Sequence, residues 1–462
     1  MRKTAALLLL VLVVPGSVRA ATAETPTERR LRILEEQLKR AQGEIDRLKG
    51  EIQQQKAIGQ ATQKQAESAE EQAKVATAET KKGPQLPEWL GRITPFGDVR
   101  LRYEGFFNQP SKEGTKVTAR NRERIRFRLG LKAAWTDELS TTVRLATGNV
   151  NDPISTNEDL GNAFTRKNFN TDWAFFTFTP GATFNMRPGL LTLQGGKFPN
   201  PMFRVNELVF DDDLSPEGLS ETLAVLPKPI GPLDQLKIFA EQWTFGEVSN
   251  GPDGWMLGGQ INPSFHFGNT RVDVGLAQYW WDNAYLIAQD LNTNSVLKNS
   301  NLVCNTSHVC SSPTQNVSGT IAGFRSGFQE TNPSVQVTFP NFVGTQPLNV
   351  FADYVYNWNA ATSDNTGYQL GWRIGQQKVR GDWSLYAFWE RLEQEAVLSQ
   401  FTASDFGPGT TNQQGGQVGL EYQLLNPLTI STRSWFTNYI TPPPGYNNPT
   451  LFRVQVDALV KF

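Results

Sequence analysis

Beyond its first twenty residues the chain has no uninterrupted apolar run of the roughly 18 residues that a membrane-spanning helix requires. If it crosses a membrane, it must do so with strands, since only helices and closed barrels satisfy their backbone in lipid. Histidine occurs only at His266 and His308, and neither lies in a serine or acid–base motif, so catalysis is not expected. Cysteine is equally scarce: Cys304 and Cys310 occur in "CNTSHVC". Two thiols and one imidazole at this spacing match no strong metal-ligand pattern, so neither metal nor cofactor is expected, whereas an exported chain can close them into a small disulfide loop. No haem attachment pattern occurs. Nor is there an excess of one charge: lysine plus arginine, 44, nearly cancel aspartate plus glutamate, 45, which argues against bulk nucleic-acid binding.

The opening MRKTAALLLLVLVVPGSVRA has the basic start, apolar run and small-residue site of a secretory signal cut after Ala20 (residues 1–20). Residues 27–80 contain no aromatic residue. Leu31, Leu34, Leu38, Ala41, Ile45, Leu48 and Ile52 follow the alternating three-and-four spacing of a heptad seam, and a thinner seam of Ala66, Ala69, Ala73 and Ala76 resumes it. An α-helical coiled coil in the periplasm is expected here, joined to the C-terminal remainder of the chain by a linker over 81–94. A stripe that long needs a partner, so a homo-oligomer is implied, with a trimer as the expected number. Helical throughout, the segment would reach about 80 Å at about 1.5 Å per residue, far enough to contact the cell wall. That leaves a structural tether between outer membrane and cell wall as the alternative function.

From Pro95 the pattern changes to alternating segments of about ten residues. In "GDVRLRYE", Val99, Leu101 and Tyr103 oppose Asp98, Arg100, Arg102 and Glu104; later, Tyr368, Leu370, Trp372 and Ile374 oppose Gln369, Gly371, Arg373 and Gly375. A period of two is a strand. Short breaks, such as Thr136-Asp137, Gly268-Asn269 and Gly381-Asp382, alternate with long ones, such as 149–168, 199–216, 284–330 and 397–413. That is the rhythm of a transmembrane barrel with turns on one rim and loops on the other. The fold class read from the chain is therefore all-β transmembrane: an antiparallel outer-membrane β-barrel of about 16 strands over 95–462, with a coiled coil ahead of it. Its last strand, "LFRVQVDALVKF", alternates to a final phenylalanine, Phe462, read as the signal for the barrel-assembly machinery.

"NRERIRFRLGLKAAW" places Arg122, Arg124, Arg126 and Arg128 on every second position. Facing lipid, each would cost on the order of 2–4 kcal/mol near mid-bilayer, so they are expected to line a water-filled lumen. With Arg100, Arg102, Lys132 and Arg144 they would form one basic wall. Acidic candidates lie in and beside two long loops: Asp152, Glu158 and Asp159, then Asp211, Asp212, Asp213 and Glu217. A loop folded inward would set carboxylates opposite guanidinium groups; a solvated external loop is the alternative for Asp211 to Asp213.

"GDVRLRYE", "RNRERIRFRLGLKA", "RLATGNVNDPISTNEDLGNAF" and "GGKFPNPMFRVNELVFDDDLSPEGLS" resemble the putative porin family of Gram-negative outer membranes, over about Gly97 to Phe462. The resemblance implies a passive diffusion channel. With the arginine wall, the expected function is passage of small hydrophilic solutes with a mild anion preference.

Overall fold

The structure, a computed structural model, describes residues 39, 42, 43, 88–115, 119–311 and 318–462. The signal segment, the coiled coil apart from helical Lys39, Gln42 and Gly43, and residues 81–87 of the linker lie outside the described residues. Among those described, no helix is long and apolar enough to cross a membrane.

A short 3-10 turn, Glu88–Arg92, leads into sixteen full strands. They are β1 (Ile93–Phe107), β2 (Arg120–Ala134), β3 (Leu139–Thr147), β4 (Phe169–Phe178), β5 (Leu191–Lys197), β6 (Glu217–Ala224), β7 (Leu233–Gly246) and β8 (Gly254–Phe267). The second half comprises β9 (Thr270–Asp282), β10 (Phe328–Val343), β11 (Gln346–Asn357), β12 (Thr366–Gly375), β13 (Trp383–Leu392), β14 (Gln413–Leu425), β15 (Leu428–Tyr439) and β16 (Leu451–Lys461). Each strand pairs antiparallel with the next. The sheet then closes on itself: β16 pairs with β1 from Asp98↔Lys461 to Phe107↔Phe452. Closure removes both sheet edges, so every strand has two hydrogen-bonded neighbours. The strand number agrees with the sequence reading, although β1 begins at Ile93, inside the stretch expected to be linker.

The alternation in the sequence is the alternation in the wall. On β1, Asp98, Arg100, Arg102 and Glu104 are buried, whereas Val99, Leu101 and Tyr103 are 45%, 54% and 39% exposed. The seam between first and last strands needs glycine at position 97. There Gly97 exchanges backbone hydrogen bonds with Phe462 at 2.9 and 3.1 Å, and a Cβ would lie 2.8 Å from the Phe462 ring and 2.3 Å from the Arg128 carbonyl oxygen.

Connections alternate as the breaks suggested, with differences of length. The connection through Pro180-Gly181, on the rim of the short breaks, is longer than a tight turn and occupies residues 179–190. The longest loop, 283–327, carries a one-turn helix, Tyr285–Asp290, and a small sheet of Val303–Asn305, Cys310–Ser311 and Ile321–Phe324. Cys304 and Cys310 are disulfide-bonded across that sheet, with Cα atoms 3.9 Å apart. β3 pairs with β2 only as far as Arg128↔Ala146. Beyond that point Glu158–Asp159, from the loop after β3, takes its place, pairing Ile125↔Glu158 and Arg124↔Asp159.

Candidate channel interior

The inner faces of β16, β1, β2 and β3 carry a dense ionic layer. Arg102 grips Asp457 of β16 with two bonds, Nε to Oδ1 at 2.7 Å and Nη2 to Oδ2 at 2.8 Å, the fork geometry in which guanidinium binds carboxylate best. Glu104 accepts from Arg122 and from Arg453, the latter through Nε at 2.8 Å. Asp98 bridges Arg126 and Arg128 at 2.9 and 2.7 Å. On β3, Arg144 pairs with Asp172 at 2.5 Å and stacks on the Trp173 ring, 3.2 Å from its centroid. Register explains these pairs: Arg102 stands opposite Asp457 and Glu104 opposite Arg122 across the two ladders that flank β1.

Three loops then reach this wall, each through one aspartate. Asp159, of the loop after β3, meets Arg122 at 3.2 Å and Arg124 at 2.7 Å. Asp213, of the loop after β5, lies 3.3 Å from Arg128 and 3.9 Å from Arg126. Asp405, of the loop after β13, sits 3.1 Å from Arg102 and 2.6 Å from Arg453. Burial opposes ionisation of Asp213, but Arg126, Arg128 and Arg100 outweigh it and its pKa falls below the ordinary value. Burial likewise opposes ionisation of Asp405, and Arg453 and Arg102 hold it well below the usual carboxylate range. Arg100 is the exception in the wall. It is buried, its hydrogen-bond partner is the side-chain oxygen of Asn157, and its Nε has no partner.

Across the barrel the same loops are packed dry. Phe198, Met202, Leu208, Val209 and Phe210 of the loop after β5 join Trp243, Met256, Tyr279, Trp281, Val397 and Leu398 in one apolar cluster. The Phe210 ring centroid lies 5.1 Å from Tyr279 and 5.4 Å from Trp243, and Phe401 stacks on Trp281 at 5.3 Å. Polar crosslinks tie the loops to one another. Thr402 Oγ1 donates to the Leu208 carbonyl at 2.9 Å, Ser404 N donates to Asp211 Oδ2 at 2.8 Å, and Asn301 Nδ2 donates to the Gln394 and Val397 carbonyls at 2.7 and 2.9 Å. Beside the loops lies a cavity of about 570 Å³, lined by Asp152, Asp172, Asp213, Glu247, Asp290, Trp243 and Trp281 among others.

The acidic candidates therefore separate. Asp159 and Asp213 meet arginines of the wall. Asp211 instead caps the neighbouring loop at Ser404. Burial, with the adjacent Asp213 carboxylate, pushes its pKa up to about 8. Asp212 is 75% exposed and pairs with Arg204 at 3.2 Å. Asp152 lines the cavity. Glu217 opens β6 and pairs with Lys197 at 2.8 Å, away from the arginines. Glu158 stands in register with Ile125, not with an arginine, because successive residues of a strand point to opposite faces. Of the basic candidates, Lys132 is exposed near the turn end of β2, apart from the layer. The sequence reading passed over Asp98, Glu104, Asp172, Asp405, Arg453 and Asp457 as partners. Arg453 and Asp457 share the polar face of the last strand, but only closure of β16 on β1 reveals what they meet.

A closed sixteen-stranded barrel with a charged interior and inward loops has the architecture of a porin. A family model described as putative porin matches residues 109–336 and 326–462, and the chain belongs to that family. Among solved structures, the high-pH structure of Pseudomonas putida OprB is 11% identical, with 81% of this chain and 96% of that one covered and a TM-score of 0.51. Salmonella typhi OmpF in complex with daunomycin is 11% identical, covering 80% and 97%, with a TM-score of 0.46. A triple mutant of Rhodopseudomonas blastica porin is 8% identical, covering 80% and 100%, with a TM-score of 0.40. No curated protein matches the sequence.

Proposed function

We propose that this outer-membrane porin is a passive diffusion channel for small hydrophilic solutes with a mild preference for anions, and not an enzyme. The observation that carries the reading is the ionic layer on the inner face of β16 to β3. Its arginines, 100, 102, 122, 124, 126, 128, 144 and 453, outnumber the contacting carboxylates, 98, 104, 159, 172, 213, 405 and 457, by one. A wall so nearly balanced gives a transverse field with little net sign, which is why the preference is mild. Arg100 supplies the surplus. Assembly as a homo-oligomer through the heptad segment, with contact to the cell wall, belongs to the same proposal.

The test is the reversal potential of single channels in a salt gradient, with Arg100→Gln beside the unaltered protein. Arg100 is the informative site because its removal orphans no carboxylate, whereas neutralising Arg126 and Arg128 together would strip Asp98 of both its partners. Weak anion preference that falls towards zero in Arg100→Gln is expected. Cation preference in the unaltered channel would refute the selectivity, and absence of any conductance would refute the channel.

A further inference from the structure

Away from the ionic layer, one row of the inner wall collects buried acceptors. From β10 to β15 the residues directly opposite one another across successive ladders are Ser334, Asp353, Gln369, Glu390, Gly415 and Thr437. All but the glycine are at most 5% exposed, and Gln369, Glu390 and Thr437 are sealed from solvent. Asp353 and Glu390 stand two strands apart, with Cα atoms about 10 Å from each other at the usual strand spacing. The concave wall brings their side chains together over Gln369, which lies between them.

Donors in this row are too few for its oxygens. Asp353 Oδ1 accepts from Asn332 Nδ2 at 2.7 Å, the same carboxylate accepts from the Tyr354 backbone, and Glu390 Oε2 accepts from Gln369 Nε2 at 2.6 Å. Glu390 Oε1 and Gln369 Oε1 have no partner among the described residues, nor do the hydroxyls of Ser334 and Thr437. Because the amide directs its hydrogen at Glu390, its oxygen is left as a third acceptor beside two carboxylates. Arg204, the guanidinium whose field reaches Asp353, is held elsewhere, by the Phe210 carbonyl at 2.7 Å and by Asp212 at 3.2 Å. Gly415 admits one further oxygen-bearing side chain: a Cβ there would lie 2.9 Å from Thr437 Cγ2, so Thr437 leans over the glycine that stands opposite Glu390.

Two carboxylates out of water need neutralising. From their shared row, the amide oxygen between them and the acceptors that no donor meets, we propose that Asp353, Gln369 and Glu390 form a site for a calcium-sized divalent cation in the barrel wall. Such an ion is bound by hard oxygens in flexible geometry, and its two charges match the two carboxylates. The ligands come from three consecutive strands, so no local motif announces them. Bound there, the ion crosslinks β11 to β13.

The purified full chain, folded into zwitterionic detergent with 45Ca2+ and then desalted, tests the site, and only barrels that resist unheated detergent are counted. About one calcium should stay with each barrel. Unfolding should also need more urea in calcium chloride than in choline chloride of equal ionic strength, with magnesium doing less. Asp353→Asn with Glu390→Gln should remove both effects. Glu241→Gln, which alters a carboxylate held by neutral donors on β7, should leave them intact. No retained calcium, or no urea shift, in the unaltered barrel would mean that the two carboxyls are neutralised by protons, and overturns the site. Retention that survives the double change would put the ion elsewhere, and loss in Glu241→Gln as well would mark a general loosening; either overturns it. If the double variant does not fold, Gln369→Met takes its place: reduced retention supports the site and unchanged retention overturns it. None of these readings depends on conductance.

Discussion

The two sides of the barrel interior treat buried polarity in opposite ways. On β16 to β3, arginines and carboxylates meet in near one-to-one pairs; on β7 to β13, four buried carboxylates are held by neutral donors instead. Glu241 accepts from Ser220 and Trp243, Glu330 from Trp281, Asp353 from Asn332 and Glu390 from Gln369, all neutral donors, around an apolar cluster built by the loops. A single closed sheet can thus hold charges by mutual compensation on one side and by dry packing on the other. The difference teaches where a passage can run. Ionic side chains remain partly open to solvent at Arg122, Arg128 and Asp159, whereas Phe210, Leu208, Val397 and Leu398 are essentially inaccessible.

Breaking the dry side should have the largest effect. Phe210→Ala removes the ring at the centre of the cluster and should cost about 3–5 kcal/mol. Unfolding in urea would measure the loss, and single-channel conductance should rise as the loop after β5 loosens. If stability falls while conductance stays unchanged, the cluster is a buttress and not a plug.

On the ionic side the effect should be smaller, because both arginines that Asp213 meets have another carboxylate partner. Asp213→Asn leaves Arg126 and Arg128 with Asp98 and should cost about 1–3 kcal/mol, the range for hydrogen bonds to charged groups. Protease cleavage within residues 199–216 of the folded barrel would report a freed loop. An unchanged cleavage rate would mean that packing alone holds it.

Asp211 joins the two regimes, and it makes their contact depend on pH. Its folded pKa, about 8, lies above the ordinary carboxylate value. A raised carboxyl contributes stability that is fully present below its unfolded pKa and is lost as pH rises through the folded value. The packing of the two loops around Asp211 should therefore lose stability between about pH 4 and pH 8 and be least stable above that range, even though the Ser404 N–H bond itself favours the ionised carboxylate. Asp211→Asn should flatten the dependence, measured as conductance or loop protection against pH. Persistence of the same pH profile in that variant would place the titrating group elsewhere. The smallest expected effect is Arg100→Gln, a change of reversal potential with stability nearly unaltered.

Much of the wall was legible because a period of two is written into single strands. The basic face of "NRERIRFRLGLKAAW" and the apolar face of "LFRVQVDALVKF" need no knowledge of neighbours. Partners were less legible, since Arg102 finds Asp457 only after the first and last strands meet across some 350 residues of chain, and no local pattern encodes that. Least legible was the loop after β13. "EQEAVLSQFTASDFGPGTTN" has the polar, glycine-containing composition of a surface connection, yet Glu395 to Leu398 are buried, because the neighbouring loops supply the donors and acceptors that water otherwise would. The acidic run at 211–213 offered no means of telling which aspartate would meet the wall. Backbone direction at the inward bend decides that.

All the inward loops leave from and return to one rim, and among their described residues only Glu158–Asp159 forms a strand segment of the barrel sheet. Frame and filling are therefore separable inheritances. Sequence drift in the filling can resize the bore or change its taste for solutes while the staves stay hooped, so descendants of such a chain can diverge in cargo long before they diverge in shape.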